Sequence, residues 1–149
     1  MGDAEVSKPA PQPAPPVTAG QELRGWILGV AGWVVPGLGH FLQKKYDRAA
    51  VFFFCVMAMA VLGLAMGAKL YAPPFDRTQG AFVLLLHLLG FVGDLGMGAL
   101  FLAAWAAGLG QLYMDRALGD YGTVFFLCAG LLCVLTALDA YDIAVGKKA

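Results

Sequence analysis

Few side chains in this sequence are equipped for chemistry, and they stand far apart. Asp94 is the single charge in the 37 residues from Thr78 to Met114, and Gly90, Gly93, Gly96 and Gly98 surround it. An ionisable group in so apolar a stretch costs at least ~2.5 kcal/mol to place at membrane depth, which makes it a functional-site candidate by default. His87 lies seven residues earlier, two turns along the same face of a continuous helix. A His–Asp pair there could relay protons or bind a cation. The competing reading puts Asp94 in a glycine-rich turn at the interface, satisfied by water or backbone N–H groups.

Asp139 and Asp142 close the last apolar stretch, in Leu138-Asp139-Ala140-Tyr141-Asp142. Acids at a helix C-terminus meet the unfavourable end of the macrodipole, so a basic partner is expected for them. Metal binding by this DxxD pair would need further carboxylates, and none adjoins it. His40 follows Pro36-Gly37-Leu38-Gly39 and reads as a hydrogen-bonding structural residue beside a turn. With two histidines and no serine beyond Ser7, nucleophilic or zinc chemistry lacks its usual constellation. No metal or cofactor is expected. Cys55, Cys128 and Cys133 sit in apolar stretches without ligand spacing and read as small packing residues.

The elements that must position these groups follow from composition. Of the 149 residues, 60% are hydrophobic and 13% charged, about half the ~25% charge of a soluble domain. Five uncharged stretches, 25–43, 49–68, 78–93, 95–114 and 121–138, are each 16 to 20 residues long. A helix needs roughly 20 residues to cross ~30 Å of hydrocarbon. The chain therefore reads as an all-α, polytopic membrane protein with the bilayer as its first partner, and other membrane proteins or its own copies as candidates. A net charge of zero leaves no basic face for nucleic acid.

Residues 1–21 hold five prolines (Pro9, Pro11, Pro13, Pro15, Pro16) and few large apolar groups, which predicts a disordered tail. The tail lacks a basic n-region ahead of an apolar core, so a cleaved signal peptide is not expected. A single helical transmembrane domain is expected over 22–146, followed by a basic tail over 147–149. Its first segment should break at Pro36, with Gly37 and Gly39 forming a turn. Its second should run unbroken from Arg48 to Tyr71, where Pro73-Pro74 stops it. As one straight helix, 78–114 would be about 55 Å long, so a break is expected near Asp94. After it, the chain either continues as one span with an interfacial extension or forms a hairpin of two short helices. The last segment covers Tyr121 to Ala144. Four crossing helices are favoured, with five as the alternative. Gly25-xxx-Gly29 and Gly63-xxx-Gly67 have small-xxx-small spacing suited to helix packing in lipid.

Orientation is undecided at this level. Four crossings divide the bases six against four, with Lys44, Lys45, Arg48 and Arg116 opposite the rest, and five crossings divide them evenly. The partner of Asp139 and Asp142 depends on the same choice: Arg24, Lys69 and Arg77 for four crossings, or Lys44, Lys45 and Arg48 for five.

The block Trp33-Val34-Val35-Pro36-Gly37-Leu38-Gly39-His40, a basic loop and Arg48-Ala49-Ala50 resembles a family of small bacterial membrane proteins of unknown function. Gly122-Thr123, Ala129-Gly130-Leu131-Leu132 and Leu138-Asp139-Ala140-Tyr141-Asp142-Ile143-Ala144 resemble the same family's second signature, with Cys133 where an asparagine would be expected. The first block is also loosely similar to TM2-type domains, although Phe41-Leu42-Gln43 replaces their Arg-Phe-Tyr-like run. The resemblance implies a bacterial inner-membrane location and assigns no activity. The expected role is non-enzymatic packing or assembly. The alternative is a small transporter or channel subunit using His87 and Asp94 as a proton or ion path.

Overall fold

The computed structural model describes residues 17–72, 80–110 and 118–147, and these form six helices without strands. The proline-rich segment to residue 16, the Pro73-Pro74 stop, Arg77, Tyr113, Arg116 and Lys148 lie outside the described residues.

Helix α1 (Ala19–Val34) starts within the expected tail. The Gln21 side-chain oxygen accepts from the Thr18 backbone N–H and hydroxyl, both at 3.0 Å, and so supplies the capping contact that opens a helix. Its end is dictated by Pro36. The preceding residue is pushed out of the helical region, and Val35 is extended at φ −130°, ψ 119°. Gly37 then takes φ +82°, a left-handed turn that reverses the chain into α2 (Leu38–Leu42). The break expected at Pro36 is present.

Helix α3 (Tyr46–Ala65) ends six residues before the expected Tyr71. Gly67, at φ +83°, stops it: the Ala68 N–H reaches back to the Gly63 carbonyl at 3.0 Å, closing a Schellman motif. Gly67 is thus a helix stop, while Gly63 packs on Gly122 of α6. The third segment breaks beside Asp94 into α4 (Ala81–Leu95) and α5 (Ala99–Ala106), bent by 113°. Helix α6 (Leu118–Ala144) is continuous.

Contacts set the directions. Gly63 of α3 meets Gly122 of α6, while Phe52 lies near Asp139 and Asp142 at the other end, so α3 and α6 are antiparallel. Gly25 packs on Tyr141 and Val145, and Gly32 on Ala137, so α1 descends α6 from its C-terminal end and stops halfway. Gly39 returns α2 to the level of Ala140. From the opposite end, α4 runs beside α6 with Gly93 at Leu127 and Gly96 at Gly130, and it too stops halfway. After α5 the chain comes back to Ala68 and Leu70 at Gly110. Two helical hairpins therefore enter from opposite ends, and their tips meet where Gly98 abuts the Trp33 carbonyl.

Helices α3 and α6 are long and apolar enough to cross a membrane, and the bent α4–α5 pair makes a third if counted as one span. The four expected segments are all helical, but two are unbroken. The interior is built largely from small residues (Ala60, Ala68, Ala129, Cys133, Ala140), with Phe101, Phe126 and Met97 filling the space between. Large apolar groups point outward, among them Trp26, Phe54, Phe82, Leu89 and Leu135, each at least 60% exposed. Small residues inside and bulky apolar ones outside is the packing expected in lipid.

Candidate functional site

The polar side chains of the interior form three ties, each joining elements distant in sequence. The first is at the α6 C-terminal end. Gly39 has no side chain to hold α2 away from its neighbours: a Cβ there would lie 2.6 Å from the Leu28 carbonyl and 2.7 Å from the Ala140 side chain. The close approach brings His40, wholly buried, to Asp139 across 99 residues of chain, with Nε2 3.1 Å from Oδ2. The Phe52 ring lies 5.0 Å from the imidazole. One turn on, the Gln43 amide donates to the carbonyls of Gly39 (3.1 Å) and Ala140 (2.9 Å).

This outcome changes the choice posed for Asp139 and Asp142. Because α1 and α2 double back, Arg24, Lys44, Lys45 and Arg48 share one end of the molecule with the α6 C-terminus. Arg24 therefore stands with the other set while Lys69 does not, and the Asp139 carboxylate meets the His40 imidazole. Lys69 alone among the described bases lies at the other end, where its backbone N–H donates to the Thr123 hydroxyl at 2.9 Å.

The second tie is at Asp94. The carboxyl is fully buried, and its Oδ2 accepts the Tyr71 backbone N–H at 2.7 Å. Its Oδ1 has no hydrogen-bond partner among the described residues. Gly90 makes this possible, since a Cβ at that position would lie 2.6 Å from the Tyr71 ring. A backbone N–H does satisfy part of Asp94, but within the packed interior. His87 is not joined to it. Its Nδ1 donates to the Val83 carbonyl one turn back (2.9 Å), and its ring meets Tyr71 edge-on at 5.5 Å. Tyr71 thus stands between the two residues paired in the sequence reading. Burial, then the negative charges of Asp94 and Asp120, push the Tyr71 phenol above its ordinary pKa.

The third tie is at the meeting of the hairpin tips. A helix leaves its last carbonyls without partners. The Trp33 indole N–H donates to Leu95, the last residue of α4, at 3.1 Å. The Cys133 thiol on α6 lies 3.7 Å from the Gly32 carbonyl and 3.6 Å from that of Trp33, at the end of α1. The cysteine is therefore more than packing, because its weak S–H donor serves the carbonyls of a helix that ends inside the molecule. Thr136 donates to the Cys133 carbonyl at 2.8 Å.

Trp33, Gln43, Tyr71 and Thr123 carry this network and were not singled out by sequence. Gln43 had a usable signal, an uncharged amide one turn beyond His40. Asp142, like Asp139, lines a cavity of about 430 Å³ beside Phe52. No cluster of three or more His, Cys, Asp or Glu is found among the described residues. Comparison with curated proteins and with solved structures finds no match. Residues 27–149, from within α1 through α6, match a family of unknown function, and the chain belongs to that family, DUF6677.

Proposed function

We propose that this chain is a non-enzymatic, multi-pass protein of a bacterial inner membrane that packs against and assembles other membrane components. The observation carrying this reading is the meeting of the two hairpin tips. There glycine lets backbone touch backbone, with Gly98 on Trp33, and the indole and thiol cap the carbonyls. Irregular backbone at membrane depth is tolerated where protein buries it, and here it forms a plug. The bulky apolar exterior is then the surface offered to lipid and to partner helices.

Orientation follows from the charges. Arg24, Lys44, Lys45, Arg48 and Lys147 stand at one end and Lys69 at the other, five against one among the described residues. Even with Arg77 and Arg116 assigned to the Lys69 end, the positive-inside bias favours the hairpin of α1 and α2 facing the cytoplasm. Impermeant maleimide should label Lys69→Cys in intact spheroplasts and Lys44→Cys only after permeabilisation, with Cys55 and Cys128 replaced by alanine. In-membrane crosslinking should recover discrete partners or a second copy; recovery of the monomer alone would count against assembly.

A transporter or channel reading draws on one observation, the buried Asp94 carboxyl with an unpartnered oxygen. Against it, the His87 Nδ1 bonds to the Val83 carbonyl and not to Asp94. Proton flux in proteoliposomes that vanishes in Asp94→Asn would revive it.

A further inference from the structure

We propose that the basic loop between α2 and α3 and the apolar groove beside it form one binding site for an anionic phospholipid. Two cavities share a wall there, at Tyr46. The first, about 280 Å³, is formed by residues 44–48, in which Lys44, Lys45 and Arg48 outnumber the single acid Asp47. The second, about 460 Å³, runs between α2 and α3 and is walled by Pro36, Leu38, Phe41, Tyr46, Ala50 and Phe53. Tyr46 lines both, and its ring meets Phe41 edge-on at 5.2 Å.

A charged recess joined to an apolar groove through a half-exposed tyrosine has the chemistry of a headgroup joined to an acyl chain. Amphipathic rings prefer that boundary. The occupant is a lipid rather than free phosphate, because the larger cavity has an apolar wall that an ion leaves unused. It is an anionic lipid because Lys44 and Lys45 line the recess against the single acid Asp47, and juxtamembrane basic clusters recognise anionic headgroups. The Pro36–Gly39 turn shapes this groove as well as seating His40, so one local sequence serves both the fold and the site. The proposal rests on the membrane reading above.

The test uses the full-length protein in mild detergent, with native mass spectrometry of phosphatidylglycerol and phosphatidylcholine of matched chains. Each lysine near an anionic surface contributes about fivefold in binding, so the wild type should retain phosphatidylglycerol at least about tenfold more strongly. Lys44→Gln with Lys45→Gln should bring the two lipids to parity. Ala50→Phe, which fills the groove, should weaken retention of both. Equal binding of the two lipids by the wild type would overturn the proposal, as would an undiminished preference in the lysine variant. Displacement of the lipid by inorganic phosphate or by glycerophosphoglycerol as readily as by the whole lipid would also overturn it. Carbonate extraction separates the failures. A wild-type chain released from membranes sinks the membrane reading, whereas an integrated chain without lipid preference sinks this proposal alone. If the lysine variant does not integrate, the wild-type comparison and Ala50→Phe still decide.

Discussion

Replacing Gly39 by alanine tests whether close approach of α2 creates the His40–Asp139 tie. By helix propensity alone, alanine should stabilise an interior helical position by about 1 kcal/mol. The surroundings predict the opposite sign. The new methyl would lie 2.6 Å from the Leu28 carbonyl oxygen and 2.7 Å from the Ala140 Cβ, and neither can swing aside. Restoring an ordinary contact of 3.4 Å moves α2 outward by about 0.8 Å. That shift carries the 3.1 Å His40–Asp139 contact beyond hydrogen-bond reach. Overpacking costs about 1–3 kcal/mol and the lost bond about 1 kcal/mol more, so after the propensity gain a net loss of roughly 1–3 kcal/mol is expected.

The assay is reversible unfolding in detergent, run as a double-mutant cycle with Asp139→Asn. If the approach makes the tie, Asp139→Asn should cost much less in the Gly39→Ala background than in the wild type, with a coupling of about 1 kcal/mol. Stability that rises in Gly39→Ala would refute the steric argument. Additive losses would refute the link between the glycine and the His40–Asp139 contact.

Trp33→Phe keeps the ring but removes the donor to Leu95; a loss of about 1 kcal/mol is expected by the same unfolding assay. Cys133→Ser, a stronger donor to Gly32 and Trp33, should be tolerated better than Cys133→Ala, and equal losses would deny the thiol its role as a cap. Tyr71 should titrate late in an absorbance titration near the phenolate band, because burial, Asp94 and Asp120 raise its pKa. A raised folded pKa means its contribution to stability is complete below the unfolded value of 10.0 and is lost as pH climbs through the folded one. A phenol titrating at its ordinary value would contradict the burial.

What the sequence revealed was local. The break at Val35–Pro36 follows from one proline and its effect on the preceding residue, and the break beside Asp94 from glycines on either side. Membrane character follows from composition. What stayed hidden depends on which way a chain turns after a break. Pro36 says that α1 stops; only packing of Gly39 on Leu28 and Ala140 sends α2 back to its starting end. That return places His40 opposite Asp139, a pairing no spacing rule could suggest at a separation of 99 residues. His87 and Asp94 show the converse error. They share a face as expected, but Tyr71, from a loop taken to be helical, fills the space between them.

The opposed hairpins also bear on how such a chain enters a bilayer. If, as proposed, each hairpin stays on the side from which it enters, α3 and α6 are the helices that complete a crossing. The polypeptide stretch that would be translocated is the one between them, which carries three bases, Lys69, Arg77 and Arg116. On that proposal the charges at Arg24, Lys44, Lys45, Arg48 and Lys147 stay in the compartment where they are synthesised. Insertion can therefore proceed with the α1–α2 hairpin held at the surface until α6 arrives, since its buried histidine and the carbonyls of Gly32 and Trp33 find their partners on that last helix.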